Sequence, residues 1–432
     1  VNQQELAQYI LKVGLPAALR TGKVAESINQ LEPGMKTNML TKNLFGRYST
    51  TTLTTDMTTN IVMELESDFI GFRIGVHNAS DKPVAGVKAC VSVRDKLDYN
   101  RDDAVWAGEF SLSGSTWVDC TFNGTTSVTL PARLGEERTS ITWSDVIPVE
   151  SLARTDGGKR PVIMIRIEQP TGSVMSFPAN GSSNWRATDA PRYFKTSKQE
   201  ILGVTNKAAF NKTANTEAQT HVPAVQYFSK KAGQQLLISG DSISEGIQAR
   251  PLCYAASQIV ALENSTPDSP IDYFNGALHA QVPLTYAPRI KDMLDVVRPT
   301  KVIYCPWSPN DVAAGGITDD ALNRARNALA NVLEYIRAYG KPVELLLTQG
   351  IPCTTTRNNM GANDAKRTAF NAMCDGMTGV TPVVGYADSI SGAMNADGQI
   401  IPMDGTISSD NAHPSPFGYS LMAKQVAKVL IK

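Results

Sequence analysis

No run of residues in this 432-residue chain approaches the roughly 18 to 20 consecutive apolar positions of a membrane-spanning helix. The start, VNQQELAQYILKVG, is polar and lacks the basic-then-apolar layout of a signal peptide; with Val1 in place of Met, it reads as a processed or cut product. Charge of one sign is missing as well. Forty-one basic and 41 acidic side chains cancel, so no basic field points to nucleic acid or an anionic membrane as partner. Cysteine is scarce: Cys90, Cys120, Cys253, Cys305, Cys353 and Cys374 include no C-x-x-C pair, which argues against zinc ribbons and thioredoxin-like chemistry. Buried thiols are the plain reading, with Cys90–Cys120 and Cys353–Cys374 as the disulfides to look for. H-E-x-x-H, G-x-x-x-x-G-K-[ST] and G-x-G-x-x-G are all absent, so zinc protease, P-loop and dinucleotide readings lack their motifs. No G-x-S-x-G elbow occurs either, against an α/β-hydrolase layout. No cofactor and no metal is implied.

What is present is ordinary globular composition, 42% hydrophobic and 19% charged, over a length that suggests roughly two or three units. Residues 1–44 read as a helical lead-in, with Leu6, Tyr9, Ile10 and Val13 at helical spacing. Over 45–190 the texture is β-branched and aromatic, as in DFIGFRIGVHN, VKACVSVRD and PVIMIRIEQ, broken by turn clusters such as NASDKP and RTDGGK. Many short strands without helical periods predict a β-sandwich or jelly-roll-like unit. Residues 191–233 are polar and read as a connecting segment with a helix near 198–203. From 234 to 432, short apolar runs (QLLIS, IDYFN, KVIYCPW, VELLLTQ, PVVGYAD) alternate with helical periods. The clearest helix carries Leu322, Ala325, Leu329, Val332, Leu333 and Ile336 on one face, with Thr318 as N-cap and a GKP stop; the last helix covers about 416–430. This alternation predicts a parallel sheet covered on both faces, a three-layer α/β/α flavodoxin-like unit whose ligands sit beyond the carboxyl ends of the strands.

Chemistry-bearing residues fall at that edge. Gly240-Asp241-Ser242 follows the first strand of the unit, FNGALHA the second, and Asn310 in PWSPND the third, while Asp410 and His413 in DNAHP precede the last helix. A serine hydroxyl needs an imidazole to take its proton, and the imidazole needs a carboxylate to hold its tautomer. Asp410 and His413 can supply both within one turn of chain. Donors for an oxyanion are available as the Ser242 N–H, a backbone N–H in 276–280 and the Asn310 side chain. Gly-Asp-Ser alone is a common turn, and Asp410–His413 alone could be a capping pair; it is their order on one sheet edge that makes a site. His77, within a predicted strand, and His221, in the polar segment, read as structural. His279 could touch substrate or sit on the surface, and Trp307 could wall the pocket or end a buried strand.

Gly-Asp-Ser after strand one, Asn-Asp after strand three and Asp-x-x-His-Pro before the last helix resemble the GDSL-type, or SGNH, hydrolase family over about residues 234–432. The resemblance implies Ser242, His413 and Asp410 as triad, with the Ser242 amide, a glycine amide and Asn310 as oxyanion hole. This chain departs from the pattern twice. Ser308 stands where the family has glycine two residues before its asparagine. The second amide falls to Ala280, which serves if its φ is negative, with Gly276 kept as the alternative.

The implied reaction is that of a serine esterase working through an acyl-enzyme. A β-rich unit ahead of this hydrolase is similar to pairings in secreted polysaccharide esterases and phage tail deacetylases, so O-acetylated carbohydrate is the expected substrate and an extracellular or virion-associated setting the expected location. Oligomerisation could run through the β-unit or the N-terminal helix. The alternatives are a GDSL-type lipase or thioesterase and, in another class, a glycan-binding or particle-forming protein with an inactive hydrolase unit.

Overall fold

The structure is a computed structural model that describes residues 38–43, 48–94, 117–133, 139–148, 161–178, 194–200, 221–249, 255–312, 316–352 and 362–431. The expected N-terminal helix lies outside these residues. The first half of the chain is a succession of strands: β1 (Met39–Lys42), β2 (Tyr48–Thr52), β3 (Met57–Glu64), β4 (Phe69–Asn78), β5 (Val84–Arg94), β6 (Val118–Asp119) and β7 (Val128–Leu130). They continue as β8 (Ser140–Trp143), β9 (Ile147–Pro148), β10 (Val162–Gln169), β11 (Val174–Pro178), β12 (Phe194–Glu200) and β13 (Ala224–Ser229). One antiparallel sheet runs β1-β13-β4-β8, with β9 also on β4; a second runs β12-β3-β10-β5-β6, with β7 on β5. β10 pairs on both sides, with β3 and β5, and all but one of its residues are buried, which is why VIMIRIEQ shows no clean alternation. Its one guanidinium, Arg166, is buried with Cζ 4.5 Å from the Trp117 ring.

These strands reach beyond the expected bounds on both sides. The segment read as a connector, 191–233, contains β12 and β13, and no helix begins at 198: residues 194–200 are a strand on β3. A polar sequence such as FKTSKQE can hold an edge position because the ladder to β3 supplies its backbone bonds. The short apolar run AVQYFS becomes β13 between β1 and β4, and MLTK, assigned to the helical lead-in, becomes β1. Cys90, Cys120, Cys305 and Cys374 are buried thiols, so the expected Cys90–Cys120 disulfide does not form; Cys353, the partner expected for Cys374, lies outside the described residues.

The second half alternates as expected: β14 (Gln234–Ser239), α1 (Ser242–Glu245), α2 (Ala256–Asn264), β15 (Ile271–Asn275), α3 (Pro283–Val297), β16 (Lys301–Tyr304), α4 (Asp319–Tyr339) and β17 (Glu344–Thr348). After these come α5 (Asp364–Asp375), β18 (Thr381–Val383), a β19 (Ser391–Met394) and β20 (Ile400–Pro402) hairpin, and α6 (Pro416–Leu430). The parallel sheet has the order β15-β14-β16-β17-β18, the flavodoxin-like arrangement in which the second strand lies outside the first. Leu236 and Ile238 of β14 face one core with α2 and α6, while Leu237 faces another with α3 and α4, so the strand's period of two feeds both layers. Thr318 caps α4 by accepting from Ala321 N, Asp319 and Asp320 sit in the first turn, and Gly340 ends it at φ 68°, as the sequence predicts.

The two halves are joined by more than chain. Asn43, just after β1, accepts from Asn275 N at 2.9 Å and donates to Tyr273 O at 3.0 Å, covering the outer edge of β15. Beside it the fully buried Lys42 ammonium lies 2.7 Å from Glu66 Oε1 and 3.7 Å from Asp272 Oδ1, and Tyr227 donates to Asp272 Oδ2 at 2.8 Å. Burial pushes the Asp272 carboxyl up, and Lys42 opposes that shift.

His221, read as a linker residue, is instead buried against His77. Its Nδ1 lies 2.7 Å from Ser176 O and its Nε2 accepts from His77 N at 3.4 Å, which fixes the neutral Nδ1–H tautomer. The His77 ring stacks on Tyr48 with centroids 4.2 Å apart. Burial pushes both imidazoles down, His221 to about 4. Below pH 6.5 the unfolded chain therefore takes up protons that the folded chain refuses, and stability falls as pH drops from 6.5 towards 4 by about 1.4 kcal/mol per unit for each histidine. Urea denaturation at pH 7, 6 and 5 should show this fall, with a shallower slope in His221→Asn; equal slopes in the two proteins would contradict it.

Candidate active site

β14 ends in Ser239 at the carboxyl edge of the sheet, and the chain turns at once into α1. Gly240 is required there because a Cβ would collide with the Ser244 side chain. Asp241 is the N-cap: fully buried, it accepts from Ile243 N at 3.0 Å through Oδ1. Ser242 is the first helical residue and is 6% exposed. Its amide donates to no acceptor among the described residues, as expected of a first-turn N–H.

On the far side of the sequence, Ser408 and Asp410 build a tight loop ahead of α6. Asp410 Oδ1 accepts from Ser408 Oγ at 2.7 Å and from the N–H groups of Ala412 and His413 at 3.0 Å each. Ser415 then caps α6 by accepting from Gly418 N, with Pro416 opening the helix. This brings His413 Nδ1 to 2.5 Å from Asp410 Oδ2 and His413 Nε2 to 2.7 Å from Ser242 Oγ, across 171 residues of sequence. Partial burial would raise the Asp410 carboxyl, but hydrogen bonds from the His413 backbone and ring, Ser408 and Ala412 outweigh it and hold it well below the usual carboxylate range. Asp410 is thus ionised whenever His413 could act, and its Oδ2 fixes Nδ1–H as donor and leaves Nε2 to accept the serine proton.

The proposed oxyanion donors are placed unequally. Asn310 lies in a 3-10 turn, Pro309–Asp311, in the loop that follows β16, and its Nδ2 donates to Gln281 O at 3.0 Å. An amide has two N–H groups, so one is left for a ligand. Gly276 is not available: its N–H extends the parallel ladder by donating to Ile238 O at 2.8 Å. Ala280 lines the cavity with Ser242, and no acceptor among the described residues takes its N–H. The condition placed on it from sequence fails, because φ is +60°. It occupies the left-handed conformation that a glycine would adopt without steric cost and that an L-residue holds only at roughly 1–2 kcal/mol.

Eleven residues line a cavity of about 210 Å³ at this edge, among them Ser242, Ile243, Ile247, His279, Ala280, Asn310 and His413. His279 is thus at the pocket, with its backbone N and Nδ1 both bound to Glu245 Oε2 at 2.9 and 3.1 Å. Trp307 is not: it is 1% exposed, packs in the core with Tyr304 and Leu347, and lies against Gly350.

The structure also assigns a task to the residue that departs from the family pattern. Ser308 is fully buried; its hydroxyl donates to Asp241 Oδ2 at 2.7 Å and accepts from Asn310 N at 3.2 Å. It therefore ties the serine turn to the asparagine turn. A serine immediately before proline is a cap signal, but its reach across the sheet edge to Asp241 has no signature in sequence. Burial pushes the Asp241 carboxyl up, and the bonds from Ser308 and Ile243 pull it back.

No protein-family model matches the chain, and neither does any curated protein. Solved structures do, over under half of it. A GDSL-like lipase from Bacteroides thetaiotaomicron is 16% identical, with 45% of this chain and 87% of that one covered, at a TM-score of 0.35. A lipase/acylhydrolase from Enterococcus faecalis is 15% identical over 46% and 95%, TM-score 0.34. A family 3 carbohydrate esterase from Clostridium thermocellum is 15% identical over 45% and 94%, TM-score 0.31. Likeness this slight leaves the chemistry to be argued from the side chains.

Proposed function

We propose that this protein is a serine carboxylic-ester hydrolase that removes O-acetyl groups from a carbohydrate. One observation carries the reaction type: Ser242 Oγ, the His413 ring and Asp410 form an unbroken hydrogen-bonded line at the mouth of a cavity. His413 Nε2 takes the Ser242 proton as Oγ bonds to the ester carbonyl carbon. The carbonyl oxygen becomes an oxyanion facing the amides of Ser242 and Ala280 and the Asn310 side chain. Collapse breaks the bond to the alcohol, which leaves with the proton from His413. Water, deprotonated by the same nitrogen, then attacks the acyl-serine carbonyl; the Oγ–acyl bond breaks, the carboxylic acid leaves and the proton on His413 returns to Ser242 Oγ.

The cavity volume bears on the size of the acyl group. About 210 Å³ is small beside the roughly 300–1,000 Å³ of clefts that bury larger organic ligands, which favours a short acyl group over a lipid chain. The carbohydrate part rests on the antiparallel sheets that precede the hydrolase half and on the family pairings they resemble, an argument by analogy.

Two outcomes follow. Ser242→Ala and Asp410→Asn should each lower kcat on nitrophenyl acetate by roughly ten-thousandfold with folding retained, measured as initial rates; less than a tenfold loss in either would contradict the assigned roles. Acetate release from a panel of acetylated polysaccharides, set beside nitrophenyl esters of increasing chain length, tests the substrate. Release from at least one glycan and a steep fall from acetate to octanoate are expected. Equal rates on butyrate and octanoate, with no acetate from glycans, would favour the lipase or thioesterase reading.

A further inference from the structure

Glu245 closes α1, three residues after Ser242, and is buried. A carboxylate taken out of water needs donors, and those of Glu245 come from one residue of the facing loop: Oε2 accepts from the backbone N of His279 at 2.9 Å and from its Nδ1 at 3.1 Å, while Oε1 has no partner among the described residues. The neighbouring rungs run the same way. Leu278 N donates to Gly240 O at 2.8 Å, and Asn275 Nδ2 donates to Glu245 O at 3.4 Å. The loop after β15 is therefore tied to the serine turn at Asn275, Leu278 and His279, and among the described residues Ala280 adds no further tie.

Ala280 is the residue with φ +60° whose N–H meets no acceptor among the described residues. That N–H belongs to the peptide plane between His279 and Ala280. With its ring and its backbone N both bound to one buried oxygen, His279 is held at its Cα, so that only ψ of His279 and φ of Ala280 remain to orient the peptide that follows. The strain of a left-handed alanine has to be offset by the surrounding structure.

We propose that Glu245 is a positioning residue for the oxyanion hole: by gripping His279 at two points, it holds the 279–280 peptide so that Ala280 stays left-handed with its N–H towards the acyl oxygen. The inference rests on the esterase reading above. It makes one carboxylate the link between the nucleophile's helix and the second oxyanion donor, and it explains how an alanine can stand where the resemblance implies a glycine.

A double-mutant cycle in the full-length chain tests it, with nitrophenyl acetate kinetics and fluorophosphonate labelling of Ser242 as readouts. Glu245→Ala should lower kcat by about 100- to 1,000-fold, the effect of losing one oxyanion donor, with KM changed less than threefold and Ser242 still labelled. Ala280→Gly alone completes the cycle and sets the reference against which its effect in the Glu245→Ala background is read. In the Glu245→Ala background the same glycine, which takes positive φ unaided, should recover at least about tenfold in kcat. Glu245→Gln, which keeps an acceptor oxygen, should lie close to wild type. If Glu245→Ala does not fold, Glu245→Met fills the volume without an acceptor and carries the same expectation. A labelled, folded variant with kcat within threefold of wild type would overturn the positioning role alone, as would a glycine that recovers nothing. A wild-type chain that neither labels nor turns over would overturn the esterase reading and this inference together.

Discussion

The carboxylate of Asp241 is the point on which the site depends. It is buried, and it is tolerated there because every bond it makes belongs to the site: one oxygen caps the helix that begins with Ser242, and the other takes the hydroxyl of Ser308, which in turn holds the turn bearing Asn310. Leaving such a group unpaired in the interior costs several kcal/mol, so cap and cross-link are formed together or not at all. Ser242 and Asn310, which follow different strands, are thereby fixed to one another. Asp410 does the corresponding work from the other side, with a loop folded on its own carboxylate that delivers His413 to Ser242.

The antiparallel half is part of the same packing. β1 runs into Asn43, which closes the edge of β15, and Gln235 on β14 exchanges side-chain bonds with the Thr41 backbone, donating to its O at 3.0 Å. The ammonium of Lys42 is enclosed with Glu66 and Asp272 at this seam, an arrangement in which removing any one charge leaves another buried without compensation. The core that contains Ile61, Val91 and Ile165 continues into Leu236, Ile238 and Met422. β14, whose end carries the Ser242 turn, is thus braced by apolar packing reaching from both halves of the chain.

Much of this was legible in sequence where local chemistry decides. The layer order followed from short apolar runs alternating with helical periods, the cap of α4 from Thr318, the span of α6 from its apolar face, and the convergence of Ser242, Asn310 and His413 from their places at strand and helix ends. What was not legible is what partners decide. FKTSKQE is polar and becomes a strand because β3 offers it a ladder; His221 looks solvated and is buried because β4 carries His77 beside it. Trp307 could have gone either way, and the space beside Gly350 took it into the core. The φ of Ala280 is set by a loop laced to α1, a constraint invisible to a rule that reads alanine as right-handed or extended. Ser308 was visible as a departure, but its partner lay 67 residues away.

The central claim is that Ser242 is an activated nucleophile. Treating the folded chain with a fluorophosphonate and mapping the adduct by peptide mass spectrometry tests it most directly. A single adduct on Ser242, lost on prior unfolding, is the predicted result; folded protein that carries no adduct, or carries it on another serine, would contradict the account.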